Sequence, residues 1–146
     1  MSCGNTDPLN MLSSIKQKRK NFDYKPKEDK TFLFIDIDCN MEKLKQVTEI
    51  KSKLPKDIVI VLSSPTFEVW FLNHFVFTVK SFRSNDELIK EINKHIPGYE
   101  KSNDVYSLLV SLFNAAIKNS EVQFKSGNNF CFTEVFTLLN KIICIK

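Results

Sequence analysis

Two short apolar runs, TFLFIDID at 31–38 and DIVIVLSS at 57–64, constrain what this chain can fold into more than any other feature. Each is apolar on both of its alternating faces, the pattern of a strand buried on both sides in a parallel sheet. A helix is expected between them, over about Met41–Leu54, with Asn40 as its cap, Glu42 in its first turn and Leu44, Val47 and Ile50 along one side. A second helix is expected after Ser64 and Pro65, in the apolar stretch SSPTFEVWFLNH that continues through Phe75, Val76 and Phe77. Strand, helix, strand, helix is the rhythm of an α/β sheet joined by right-handed crossovers.

The flanking segments read as helical. At the start, Asp7 can cap and Pro8 suits a first helical position, with Leu9, Leu12 and Ile15 as a stripe before the basic run KQKRK at 16–20. That run is either a solvated helix end near the negative dipole terminus or a phosphate-contacting patch. After a polar connector at 21–30 and the α/β part, SNDELIKEINKHI at 84–96 opens with the capping pair Ser84 and Glu87. Val105, Leu108, Leu109, Leu112, Phe113, Ala116 and Ile117 then recur at helical spacing, and a last helix is expected from about Thr133, with Phe136, Leu139 and Ile143 on one side. The fold class expected is α/β: a partial parallel-sheet core in 1–77 and a C-terminal α-helical layer in 78–146, forming a single domain.

Composition bounds the function classes. The net charge of +4 is well short of a nucleic-acid arm, so nucleic acid is permitted as a partner and not demanded. Cys3, Cys39, Cys131 and Cys144 lie far apart without CxxC or metal-finger spacing, and are expected as free thiols in a reducing compartment. No apolar run has bilayer-spanning length and the N-terminus has no signal-peptide pattern, so a cytoplasmic protein without a membrane partner is expected. The absence of Walker, GxGxxG, GxSxG and HExxH motifs leaves nucleotide hydrolysis and zinc proteolysis unsupported.

Asp36 and Asp38 are the sharpest chemical feature. Two residues apart on a strand, they emerge on one face roughly 7 Å apart at the backbone, at the carboxyl end where open α/β sheets place ligands. Such a pair suits Mg²⁺ or Mn²⁺, and the competing reading is a turn. Glu68, in the first turn of the next helix, is either a carboxylate stabilised by the helix dipole or a member of the same crevice, binding metal through water or acting as a base. His74 lies about 120° round that helix from Glu68, so it reads as a hydrogen-bonded core residue or a catalytic group, and not as half of a dyad. Lys101, in the loop GYEKS, is an exposed lysine or a partner for phosphate or carboxylate.

Together FIDID, SSPTFEVWFLNHF, PGYEKSNDVY and AAIKNSE resemble the RloB-like family. Its members carry an Asp-x-Asp strand, an S-N-P-x-F-E-x-W-x-x-x-H-F segment, a G-Y-x-K turn and a C-terminal helical part. That family is similar to Toprim domains, the metal-dependent fold of topoisomerases, primases and OLD-type nucleases, and it occurs in abortive-infection systems of the AbiL type, often with an ATPase partner. The resemblance implies a phage-defence nuclease acting on RNA or DNA. It makes Asp36 and Asp38 the metal aspartates and sets Phe67, Glu68, Trp70, His74 and Phe75 on the signature segment, with Gly98, Tyr99 and Lys101 on the turn. Ser64 stands where Asn is usual, and Asn73 where Leu is usual. The family's N-terminal glutamate segment has no counterpart here, so a truncated form, covering about the C-terminal two thirds of the family, is expected. A non-catalytic binding subunit of an ATPase-containing complex is the alternative.

Overall fold

A computed structural model describes residues 8–25 and 27–143. Cys3, the Asp7 cap and Cys144 lie outside the described residues, as do the side chains of Pro8, Leu9 and Ile143. In chain order the elements are α1 (Pro8–Arg19), β1 (Thr31–Asp36), α2 (Met41–Lys51), β2 (Ile58–Ser64), α3 (Glu68–Phe75), α4 (Asn85–Ile92), α5 (Tyr106–Leu109), a 3-10 turn at Val110–Leu112, α6 (Phe113–Lys125), β3 (Phe132–Thr133) and α7 (Val135–Ile143). The fold is mixed α/β, with a three-stranded sheet in the order β1-β2-β3. Thr31 N–H donates to Asp57 O at 2.8 Å and Ile37 N–H to Ser63 O at 2.9 Å. Both strands advance by the same number of residues between these bonds, so β1 and β2 run parallel. β3 joins antiparallel, pairing Ser63 with Thr133 and Ser64 with Phe132.

The chain divides into two compact units, one of residues 1–33 and 42–60 and the other of 34–41 and 61–146. In the first, α2 buries Val47 completely and half-buries Leu44 and Ile50, the stripe expected from the sequence. Arg19, from the basic run, turns inward there. Its Nη1 bonds Asp57 at 2.8 Å, its Nε and Nη2 reach the Thr31 hydroxyl, and its guanidinium lies 4.0 Å from the centre of the Tyr24 ring. Tyr24 donates its hydroxyl to the same Asp57 oxygen at 2.7 Å, and this bond, ahead of Arg19, holds the Asp57 carboxyl below its ordinary range. The run is therefore split in use: Arg19 builds the unit, while Lys16 and Lys20 are exposed.

The second unit is organised by α3. Six of its eight residues are buried, Glu68, Val69, Trp70, Leu72, Asn73 and His74, because its neighbours cover it on most sides. Val69 and Leu72 join Phe82, Leu88, Ile92 and Tyr99 in the core. α4 starts as its sequence dictates: the Ser84 hydroxyl accepts from Glu87 N–H and the Glu87 carboxylate from Arg83 N–H. Two expectations change. The pattern over 105–117 gives no single helix, since α5 ends at Leu109, a 3-10 turn intervenes and α6 runs on to Lys125. The C-terminal part is also not wholly helical. Phe132 and Thr133 complete the sheet, fastened by the Ser63–Thr133 hydroxyl pair at 2.8 Å and by Glu134, whose carboxylate accepts from Leu62 N–H at 3.0 Å.

Asn73 sits where an apolar residue would ordinarily pack. Its amide donates to Ser120 and to Gln123 on α6, both at 2.9 Å, while Gln123 donates to Thr78 O at 2.8 Å and to the Cys131 sulfur. Cys39 and Cys131 are both free thiols. No helix among the described residues is long and apolar enough to cross a membrane. Because Gln123 is fully buried, Gln123→Leu strands both Thr78 O and one Asn73 donor, and it is expected to cost about 2–3 kcal/mol in urea unfolding. A loss below about 0.5 kcal/mol would show that the network contributes no more than a surface contact.

Candidate functional site

β1 ends at Asp36, and the chain turns at once. Asn40 N–H closes back on Ile37 O at 3.0 Å, and the two central residues, Asp38 and Cys39, both have φ of 57°. This is the geometry of a type I′ turn, held without glycine, at a cost of about 1–2 kcal/mol for each left-handed residue. Asp38 therefore does not extend the strand beside Asp36 as the sequence suggests; it stands in an exposed turn one step beyond the strand's end. The turn is fastened to the start of α3, with Asp38 N–H donating to Pro65 O at 2.8 Å across a segment whose Ser64–Pro65 bond is cis.

Asp36 makes the complementary bond. Its Oδ1 accepts from Phe67 N–H at 2.7 Å, satisfying one of the donors that a helix N-terminus leaves open. Its other oxygen makes no hydrogen bond to a described residue. Burial pushes the Asp36 carboxyl up, the Phe67 bond opposes this, the charges of Glu68 and Asp38 raise it further and Lys101 lowers it. Glu68, Asp38 and Lys101, named with Asp36 from the sequence as metal ligand, base and cation, thus all act on Asp36.

Glu68, the first residue of α3, is buried and doubly held. Its Oε2 accepts from the Thr66 hydroxyl at 2.5 Å, and its Oε1 pairs with Lys101 Nζ at 3.3 Å. Thr66 also lies 2.8 Å from the Asn85 side chain. A hydroxyl has one proton, so Thr66 donates it either to Glu68 Oε2 or to Asn85 Oδ1, both of which accept. Lys101 reaches Glu68 because the turn before it is anchored. Gly98 takes a φ of 75° that a side chain would strain, and the buried Tyr99 is clamped by Asn93, which accepts from Tyr99 N–H at 3.0 Å. Burial first, and then Glu68, push the Tyr99 phenol up to about 12. Sequence reasoning missed Thr66 and Asn85 as neighbours of Glu68 and Asn93 as the anchor of the turn before Lys101. Thr66 alone left a signal, a hydroxyl two residues ahead of the carboxylate.

His74 is not joined to this group. Its Nδ1 lies 2.8 Å from Trp70 O, one turn back on the same helix, so Nδ1 carries the proton and Nε2 is left as an acceptor. Burial lowers its pKa below the usual 6.5, the backbone bond to Trp70 opposing that shift, so the imidazole is neutral at pH 7. Its ring meets the Trp70 ring edge-on at 4.8 Å.

The chemistry of the donor set suits a hard divalent cation, which commonly takes one or two carboxylates and completes its shell with water and substrate oxygens. Asp36 offers an oxygen without a hydrogen bond to a described residue, Asp38 adds charge from the exposed turn, and Lys101 lowers the Asp36 carboxyl against them. Among the described residues, no three or more His, Cys, Asp or Glu side chains are gathered closely enough to hold a metal between them.

The sequence matches the family model described as RloB-like protein over residues 1–143, and the chain belongs to that family. Neither the curated proteins nor the solved structures hold a match to it.

The raised Asp36 carboxyl has a consequence for stability. Between the ordinary value of 3.8 and the raised folded value, the native state holds the extra proton, so stability falls as pH rises through that window and stays lower above it. Asp36→Asn keeps an oxygen for Phe67 N–H and removes the charge. Its thermal midpoint near pH 7 is expected to equal or exceed that of the wild type, with the advantage lost on acidification below the unfolded carboxyl range. A lower midpoint at neutral pH would mean that Asp36 is retained for its charge on the helix terminus.

Proposed function

We propose that this RloB-like protein is a metal-dependent nuclease of phage defence, hydrolysing phosphodiester bonds in RNA or DNA. The observation that carries the reading is the convergence on Asp36 of Asp38, Glu68 and Lys101, at the carboxyl end of a parallel strand. Mg²⁺ or Mn²⁺ would be held by Asp36 and Asp38, supplying charge neutralisation and a more acidic bound water. Lys101 is half exposed and, among the described residues, paired with Glu68 alone, so its ammonium can turn to a substrate phosphate. That exchange frees Glu68 Oε1 to accept a proton, while Thr66 keeps the carboxylate aimed. His74 supports α3 from within and takes no proton in this scheme. An ATPase partner and a role in abortive infection follow from the family resemblance.

A second reading, a non-catalytic subunit binding an ATPase partner, is favoured by the lack of a ready-made cluster of three metal ligands among the described residues. One assay separates the two. With Mn²⁺ and either RNA or DNA, the wild type is expected to cleave. Glu68→Gln, which still accepts from Thr66, is expected to lower the rate by about a hundredfold with an unchanged thermal midpoint. Loss of stability without loss of rate would make Glu68 a packing residue, and no cleavage of either nucleic acid would leave the binding-subunit reading.

A further inference from the structure

α3 borders an open cleft of about 730 Å³, lined elsewhere by residues 103–105, α5, the 3-10 turn and the start of α6. That volume lies within the range of small-molecule sites. Its walls are aromatic: Trp70 and Phe71 from α3 and Phe113 from α6, with Trp70 and Phe113 edge-on at 5.9 Å. Among the described residues no lysine or arginine lines it, and Asp104 does, so an anionic group is disfavoured.

Polar groups at the cleft are few and placed to orient a ligand. His74 lines it, and its Nδ1–H is spent on the Trp70 carbonyl. Its Nε2 bonds no described residue and is not among the buried atoms shut off without a partner. It is therefore an open acceptor in aromatic surroundings. The Asn114 amide adds a donor and an acceptor at the rim. A ligand matching this set is flat, uncharged and carries N–H donors on its edge. A purely apolar ring would leave Nε2 desolvated and unpaired, which costs free energy.

We propose that this cleft binds a nucleobase, seated among Trp70, Phe71 and Phe113 with an edge N–H donated to His74 Nε2. Aromatic side chains hold bases in a sequence-tolerant way, at about 1–3 kcal/mol per base. The choice of a base over other flat rings rests on the nuclease reading above, because α3 carries both Glu68 at its first residue and the cleft wall at Phe71, about 4.5 Å further along its axis. A strand whose phosphate meets Lys101 then has a base within reach of the cleft, and the Asn103–Tyr106 rim follows directly on Lys101.

Trp70 is the only tryptophan in the chain, so its indole N–H resonance reports on the cleft alone. Free nucleosides carry no phosphate and need no metal, so their binding is independent of cleavage. Titrated with adenosine, guanosine, cytidine or uridine, the resonance is expected to shift saturably with at least one, in about the millimolar range. Val110→Phe, at a half-exposed wall position, is expected to weaken that binding by about tenfold or more. His74→Phe is expected to abolish it while toluene still enters. No saturable shift with any nucleoside overturns the inference, even if the protein cleaves nucleic acid, and so does toluene binding as tightly as the best nucleoside. Nucleoside binding by a protein that cleaves nothing supports the cleft and refutes the nuclease reading alone.

Discussion

The bond from Phe67 N–H to the Asp36 carboxylate is the joint on which the candidate site depends. It ties the end of β1 to the start of α3, so the aspartate that closes the strand and the glutamate that opens the helix share one place. Ile37 N–H to Ser63 O and Asp38 N–H to Pro65 O reinforce the same junction from the backbone. A cap between elements distant in sequence is an economical way to fix a carboxylate, since one oxygen is anchored and the other stays uncommitted.

That junction concentrates negative charge. Asp36, Asp38 and Glu68 lie there with Lys101, and burial first, then the charges of Glu68 and Asp38, raise the Asp36 carboxyl. A purely structural junction would lose nothing by replacing one carboxylate with an amide. Two successive left-handed residues without glycine point the same way, because local strain is typical of sites where geometry serves something other than stability. Around this unfavourable centre the structure is well supported: Thr66 and Asn85 behind Glu68, Asn93 and Tyr99 beneath Lys101, and the Asn73–Gln123 network behind α3.

The parts legible in sequence were those with local signatures. The two apolar runs became parallel strands, the Val47 stripe was buried and the Ser84–Glu87 cap formed, because each depends on neighbours in the chain. That Lys101 meets a carboxylate was named only as an option, and that the carboxylate is Glu68 was not legible, since the pair joins residues far apart in the chain. The Asp36–Asp38 spacing looked like a strand face, but backbone bonds to Ser63 and Pro65 convert the second aspartate into a turn, which period-two reasoning cannot register. β3 has two residues, too few for a pattern, and exists because Thr133 and Glu134 find partners on β2. The 105–117 stripe misled because apolar spacing continues across a 3-10 turn that breaks the helix. His74 read as a hydrogen-bonded core residue or a catalytic group, and its Nδ1 bonds the carbonyl one turn back.

The central claim is that the junction of β1 and α3 holds a divalent cation, and calorimetric titration with Mn²⁺ tests it most directly. The wild-type chain is predicted to bind, and an Asp36→Asn, Asp38→Asn double variant of equal foldedness is predicted to lose that binding. Equal binding by both proteins, or binding by neither, would contradict the account.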